Sequence, residues 1–239
     1  MRRTLIAIAG LMALIGTPVL AADMALKAPP APTPAVSSWT GFYVGGTVGG
    51  AWGTSFQSFN GPIGGVPTAG TTGNYRTQGP VGGFTAGYNW QVNPAWVVGV
   101  ETDIAAAGIK GTGQTNPSYN CGALCQSNVD MFGTVRGRVG LVAGSALFYG
   151  TGGYAYGREK ANLNNLLTGS STRNGWTGGG GIEYRFDQHW SAKAEYLYVK
   201  LDSFVWNSAA NGTANCIGIS CSTGNKFNVL RAGLNYKFN

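Results

Sequence analysis

Four cysteines and one histidine are the side chains of this 239-residue sequence best suited to cross-linking or metal binding. The cysteines form two close pairs, Cys121 with Cys125 and Cys216 with Cys221. Both pairs lie in segments predicted to be long loops of an exported protein, which favours a disulfide within each pair. Zinc is the alternative. It requires converging ligands, and His189 lies at the opposite end of the predicted fold.

Catalytic chemistry has little support in the sequence. His189 lies in a predicted tight turn, whereas a hydrolytic triad needs a nucleophile and an orienting acid beside the imidazole. The sequence contains no HExxH, GxSxG or P-loop motif, and Gly178–Gly181 lies within a predicted strand instead of before a helix. We therefore expect no enzymatic activity, no cofactor and no metal.

Charged residues alternate with apolar ones along several segments. In Trp96–Ala106, Glu101 and Asp103 share one face of a strand, while Val98 and Val100 lie on the other. We predict that such charges fill the interior of a barrel as ion pairs, because an unpaired buried charge is costly. The predicted interior set is Glu101, Asp103, Asp130, Arg136, Arg138, Glu183, Arg185, Lys193, Glu195, Arg231 and Lys237.

Sequential antiparallel strands should bring these charges together. Glu101 and Asp103 are expected to face Arg136 and Arg138, and Glu183 and Arg185 are expected to face Lys193 and Glu195. The near balance of acids and bases predicts a filled interior and argues against a channel of one sign.

Eight alternating segments must position these side chains, each of about 10–13 residues, enough for a tilted strand to cross a bilayer. The predicted strands are Gly41–Gly53, Gly79–Gln91, Trp96–Ala106, Val129–Leu141, Ala146–Gly157, Asn174–Phe186, Trp190–Val199 and Lys226–Phe238.

The connections between these strands alternate between short and long. Tight turns are predicted at 92–95, 142–145 and 187–189, and long loops at 54–78, 107–128, 158–173 and 200–225. This separation is typical of an outer-membrane barrel with periplasmic turns and extracellular loops. A soluble lipocalin-like barrel, with apolar residues inside, is the alternative. Aromatic strand ends such as Trp90, Trp190 and Tyr236 favour lipid on the outside.

The first 38 residues are predicted to lie outside the barrel. Residues 1–21 combine Arg2 and Arg3 with a short apolar run, the pattern of a signal peptide. A membrane anchor is the alternative, but the run is too short to span. Residues 22–38 form an Ala/Pro-rich periplasmic leader, interpreted as a spacer, with contact to the cell wall as the alternative. Residues 39–239 form the predicted barrel.

Composition agrees with export. The chain contains 40 glycines and only 10% charged residues, which argues against both a disordered chain and an ordinary cytoplasmic enzyme. The net charge is +7, and the predicted loops and their rims carry bases that could meet lipopolysaccharide phosphates; a merely solvated surface is the alternative. The loop charges are Arg76, Lys110, Arg158, Lys160, Arg173, Lys200 and Lys226 against Glu159 and Asp202. We expect no nucleic-acid partner.

Six segments carry a family resemblance: WTGFYVGGTVGGAWG (Trp39–Gly53), GTVRGRVGL (Gly133–Leu141), YGTGGYAYG (Tyr149–Gly157), WTGGGGIEYRF (Trp176–Phe186), WSAKAEYLYV (Trp190–Val199) and VLRAGLNYKF (Val229–Phe238). In combination they resemble the porin-like outer-membrane immunogenic protein family of Gram-negative bacteria. The resemblance implies an eight-stranded antiparallel transmembrane β-barrel with antigenic surface loops. It also implies that barrel-insertion machinery reads a C-terminal aromatic residue; here Phe238 is followed by Asn239.

The predicted function is therefore that of a non-enzymatic, structural and surface-exposed protein of the outer membrane. Its expected partners are outer-membrane lipids, lipopolysaccharide and the insertion machinery. A narrow porin for small solutes is one alternative. Capture of a ligand such as haem by the loops is another.

Overall fold

A computed structural model describes residues 38–63, 66–71, 74–113, 125–163, 167–207 and 220–238. Nearly all of these residues lie in β-strands. The strands are β1 (Gly41–Ile63), β2 (Val66–Thr71), β3 (Tyr75–Gln91), β4 (Trp96–Gly113), β5 (Cys125–Ala143), β6 (Ala146–Leu163), β7 (Leu167–Arg185), β8 (Trp190–Asn207) and β9 (Ser220–Lys237).

Eight of these strands close into an antiparallel barrel. Their order around it is β1-β3-β4-β5-β6-β7-β8-β9, and β9 returns to pair with β1 from Tyr43↔Lys237 to Asn60↔Ser220. The short strand β2 pairs with the last six residues of β1, Ser58 to Ile63, and extends a hairpin beyond the barrel. The predicted eight-stranded antiparallel barrel is confirmed.

The two ends of the barrel differ in their connections. At one end, here called the turn end, residues 92–95, 144–145 and 186–189 connect consecutive strands. Gly144 has a φ of 61°, a left-handed conformation that glycine adopts without steric cost. The other end, where β1 meets β2 and where β6 meets β7, is called the loop end. The turn-end boundaries agree with the predicted ones to within two residues.

The predicted strand boundaries at the loop end were wrong. The first barrel strand continues past Gly53 to Ile63, and β8 continues past Val199 to Asn207. Within the described residues, the segments predicted as loops at 54–78, 107–128, 158–173 and 200–225 are largely continued strand. Beyond the lipid, outward side chains need not be apolar, so the hydrophobic alternation ends while the backbone ladder continues.

The outer surface of the barrel is apolar between two rings of aromatic side chains. Phe84 and Val48, in the middle of the wall, are 75% and 71% exposed. The turn-end ring consists of Phe42, Trp90, Trp96, Phe148, Tyr184, Phe186, Trp190, Tyr236 and Phe238, and the loop-end ring of Trp52, Phe56, Tyr154, Trp176 and Tyr196. Such rings mark the two membrane interfaces, so the lipocalin-like alternative, with its apolar face inward, does not fit.

Inward-facing glycines allow the strands to curve tightly. A Cβ atom at Gly179 would lie 2.0 Å from the carbonyl oxygen of Tyr196, and one at Gly49 would lie 2.1 Å from that of Leu230. Any side chain at these positions would displace the neighbouring strand.

Candidate functional site

The candidate site is the barrel interior, where the two-residue period of the strands directs alternate side chains. The charged ones form a layer that contains four acids and four bases, each less than 5% exposed. They are Glu101 and Asp103 on β4, Arg136 and Arg138 on β5, Glu183 on β7, Lys193 and Glu195 on β8, and Arg231 on β9. The layer therefore has no net formal charge.

Arg136 joins three carboxylates in the centre of this layer. Its guanidinium donates to Glu101, to Asp103 Oδ2 at 2.9 Å and to Glu195 Oε1 at 3.0 Å. Arg231 then bridges two of the same acids, donating to Glu195 Oε2 at 2.6 Å and to Asp103 Oδ2 at 3.0 Å. These ion pairs join four strands, because the two guanidinium groups are on β5 and β9 and the three carboxylates are on β4 and β8.

A second set of pairs surrounds Arg138. Its Nη2 donates to Glu183 Oε2 at 2.8 Å, and its Nη1 lies 3.5 Å from Glu101 Oε2. Lys193 Nζ also donates to Glu101 Oε2, at 2.9 Å. The structure thus brings Glu101 and Asp103 to Arg136, and Glu101 also to Arg138, as expected.

The pairing expected between β7 and β8 was wrong. Lys193 lies directly opposite Glu183 in the strand register, but its ammonium group pairs with Glu101, and Glu183 pairs with Arg138. An eight-stranded barrel is narrow enough for long side chains to meet across it, so cross-lumen contacts compete with those between adjacent strands.

Neutral side chains complete this layer, and none of them was among the predicted site residues. Tyr43 Oη donates to Glu101 Oε2 at 2.7 Å and accepts from Arg138 Nη1 at 3.0 Å. The ring of Tyr149 lies 4.1 Å from the Arg138 guanidinium carbon. Further donors are Ser191 and Asn235 to Glu183, and Thr134 to Asp103. Their inward parity was the available signal, because it matches that of the charges.

Asp130 was wrongly assigned to the interior. A β-bulge between Val129 and Met131 inserts one residue into β5, so that parity changes and Val129 is buried while Asp130 faces outward. Its carboxylate pairs on the outer surface with Arg158 at 3.2 Å and Lys160 at 2.8 Å.

Arg185 and Lys237, two members of the predicted interior set, lie at the mouth of the turn end. Arg185 Nη1 and Lys237 Nζ both donate to the backbone carbonyl of Ser38, at 2.9 Å and 2.7 Å. The Arg185 guanidinium also covers the ring of Trp39 at 4.2 Å. Ser38, predicted as the last leader residue, is therefore bound to the barrel.

Trp39 closes the turn end of the interior. Its side chain is 3% exposed and packs in a cluster with Val97, Leu147 and Tyr149. Its backbone N–H donates to Gln91 Oε1 at 2.9 Å. The segment that enters β1 thus forms an apolar cap beneath the charged layer.

An apolar plug fills the interior on the loop-end side of the charged layer. Phe132 and Phe227 form its centre, with ring centroids 5.6 Å apart in an edge-on contact. The plug consists of Ala51, Val81, Ala105, Ile109, Val129, Phe132, Ala155, Leu197, Val199, Leu201, Phe227 and Val229, all buried. A cross-section filled by these apolar side chains offers no favourable path to an ion.

A second buried ion pair lies beyond the plug. Arg173 Nε is 3.0 Å from Glu159 Oε2, and Ser127 Oγ donates to Glu159 Oε1 at 2.9 Å. Both charged residues were predicted to lie in a surface loop, and that assignment was wrong. They face the interior because both strands extend beyond the membrane: β6 ends only at Leu163, and β7 begins at Leu167.

The predicted cysteine chemistry lies largely outside the described part of the chain. Cys121 and Cys216 are outside the described residues, and the structure describes only the backbone of Cys125 in β5 and Cys221 in β9. The two disulfides therefore stay a prediction.

His189 lies in the last turn, at the turn end of the barrel. Its ring stacks on that of Tyr236, with centroids 5.6 Å apart. In the same turn, the backbone N–H groups of Trp190 and His189 donate to Asp187, which holds the pKa of that carboxyl below its usual value. Among the described residues, no three His, Cys, Asp or Glu side chains converge to bind a metal.

Comparison with known proteins agrees with this architecture. Residues 19–238 match the family model described as the outer membrane protein beta-barrel domain. The chain belongs to this outer-membrane β-barrel family. It is an outer-membrane protein whose strands cross the lipid, and in the part of the chain that the structure describes no helix is long and apolar enough to do so.

Two relatives show how far the similarity extends. The chain is 37% identical to the 31 kDa outer-membrane immunogenic protein of Brucella melitensis, over 97% of this chain and 98% of that one. It is 30% identical to the 22 kDa outer membrane protein of Rhizobium leguminosarum, over 87% and 82% of the two chains. The family predicted from the sequence motifs is confirmed.

A solved structure has the same fold. The outer membrane protein OprG from Pseudomonas aeruginosa aligns with a TM-score of 0.57 and 16% identity, covering 85% of this chain and 99% of that one. At this identity the likeness concerns the barrel alone.

Proposed function

We propose that this protein is a closed, non-enzymatic structural barrel that presents its loop end at the cell surface. The observation that carries the proposal is the apolar plug, in which Phe132 and Phe227 are 0% and 1% exposed. An ion crossing the barrel would have to leave water at this layer, which costs several kcal/mol without a compensating partner. The balanced ion pairs of the charged layer support the same conclusion.

The orientation follows from how such barrels are built. Outer-membrane barrels place short turns in the periplasm and longer connections outside the cell, so the turn end with residues 92–95 would be periplasmic. The loop end would then meet lipopolysaccharide and antibodies; two Brucella relatives are named immunogenic proteins. The further proposed partners are the outer-membrane lipids, the barrel-insertion machinery during assembly and, for the Pro-rich leader, the cell wall.

Conductance in planar bilayers tests the closed interior. Refolded wild-type protein is expected to give no steady current. A Phe132→Ala/Phe227→Ala variant removes both rings of the plug and is expected to admit water and raise the leak current, which verifies that the assay can detect an opened barrel. A large, steady current through the wild type would replace the proposal with the narrow-porin alternative.

Protease treatment of intact cells tests the orientation independently. Cleavage is expected at the loop end and not in the turns at 92–95 or at Gly144. Cleavage confined to the turns would mean that the barrel has the opposite orientation in the membrane. Haem capture at the surface has no support from the single histidine, because His189 lies at the turn end.

A further inference from the structure

Two lysines face each other on the outer wall of the barrel, at the level of the loop-end aromatic ring. Lys200 on β8 lies directly opposite Lys226 on β9 in the strand register, and both side chains are exposed. Directly opposed residues on adjacent strands are about 5 Å apart, so like charges there destabilise the pair. An anion bound between the two ammonium groups would offset this repulsion.

The chain does not supply that partner within its described residues. Neither Lys200 nor Lys226 forms an ion pair there, whereas the comparable bases Arg158 and Lys160 share Asp130. The outer wall therefore carries one basic pair that shares a carboxylate of the protein and one pair without an ion-pair partner among the described residues.

The two lysines also border a recess of about 370 Å³. Its other walls include Phe56, Thr54 and Ser203, and it lies beside the β-bulge between Leu201 and Phe204, where β8 departs from regular pairing with β9. One acid, Asp202, also lines the recess, so the cluster is basic by one charge before any further cation is counted.

A third cation extends this cluster along the same row of the barrel wall. Thr54 on β1 is directly opposite both Lys226 on β9 and Arg76 on β3. Arg76 is therefore about 10 Å from Lys226, two strand spacings away. On the other side, Lys200 is opposite Trp176, a residue of the loop-end aromatic ring, which places the cluster at the level of lipid headgroups.

We propose that the recess around Lys200 and Lys226 binds the phosphorylated sugar headgroup of lipopolysaccharide, its lipid A part. The proposal rests on the proposed function, because lipid A lies beside this cluster only if the loop end faces outward. Ammonium groups at a membrane interface attract phosphate, and the exposed lipid-facing wall below Trp176 can contact acyl chains at the same time.

Binding of lipid A to the folded barrel in detergent micelles tests this site. The wild type is compared with Lys200→Gln/Lys226→Gln and with Arg158→Gln/Lys160→Gln, which loses the same charge from the same rim. We expect the first variant to raise the Kd for bisphosphorylated lipid A at least tenfold. The control variant Arg158→Gln/Lys160→Gln should change this Kd less than threefold. The variant Lys200→Arg/Lys226→Arg should retain binding.

Several results would overturn the site: equal weakening in both double variants, no weakening in either, or equal binding of fully dephosphorylated lipid A. Binding of inorganic phosphate alone is also measured. If phosphate binds as tightly as lipid A, the lipid is excluded as the specific ligand. Mobility shift on heating verifies that each variant is folded. The micelle assay is independent of conductance and orientation, so its failure would leave the proposed function standing.

Discussion

The guanidinium of Arg138, on β5, lies 2.8 Å from the carboxylate of Glu183, on β7, across the strand that separates them in the barrel wall. Both side chains are buried. The interior charges therefore connect parts of the wall that are not hydrogen-bonded neighbours, and they brace the barrel as well as fill it.

Arg138→Ala should strongly destabilise the folded barrel. The substitution leaves Glu183 and Glu101 buried with fewer partners, and breaking such a pair costs about 3–5 kcal/mol. The control is Lys160→Ala, which removes an exposed partner of Asp130 and should cost less than about 1 kcal/mol. Urea unfolding of refolded protein in lipid vesicles measures both. Similar losses in the two variants would mean that the interior is hydrated.

Gly179→Ala should hinder barrel formation. The new methyl group would meet the carbonyl oxygen of Tyr196 at 2.0 Å, and crowding of this kind costs about 1–3 kcal/mol. At Gly46 an added Cβ meets nothing within 4 Å, so Gly46→Ala should change stability by less than about 0.5 kcal/mol. The folded fraction after refolding, measured by mobility shift on heating, distinguishes them. Equal yields would refute the close approach at Gly179.

Trp39→Ala should lower stability without opening the barrel. Removing the Trp39 side chain leaves a cavity beside Val97 and Leu147, which should lower the free energy of unfolding by about 3 kcal/mol or more. Because the apolar plug lies elsewhere along the interior, the variant should conduct no more than wild type. Trp96→Ala is the matched control, because Trp96 faces outward and is 44% exposed. A steady current in Trp39→Ala but not in Trp96→Ala would show that the cap, and not the plug, closes the barrel to ions.

The cysteines should pair locally as Cys121–Cys125 and Cys216–Cys221, because loops this short close at little entropic cost. Peptide mapping of exported protein without reduction provides the test. A peptide that links Cys121 to Cys216, or four free thiols, would contradict the prediction.

The regular part of the barrel could be predicted from sequence because lipid imposes a strict alternation. Glu101 and Asp103 were placed correctly on the interior face, since their strand alternates without interruption from Trp96 to Ala105. The alternation also fixed the turn-end boundaries, where aromatic residues such as Trp96 and Trp190 begin strands.

Irregularities and long-range contacts could not be predicted in this way. One inserted residue at the bulge moved Asp130 to the outer wall, and nothing in the neighbouring residues marks a bulge. Glu159 was assigned to a loop because the hydrophobic pattern ends at the membrane although β6 does not. Lys193 pairs with Glu101 because the two side chains meet across the interior. The alternation along one strand does not give distances of that kind.

The seam between β1 and β9 joins the segments that are farthest apart in the chain, from Tyr43↔Lys237 to Asn60↔Ser220. Forming it requires the largest loop closure in the molecule, so it should come last and slowly. Until then, both seam strands present unpaired backbone edges that can join other chains. The stage just before closure is therefore where this protein is most prone to aggregate, and where protection by a chaperone would matter most.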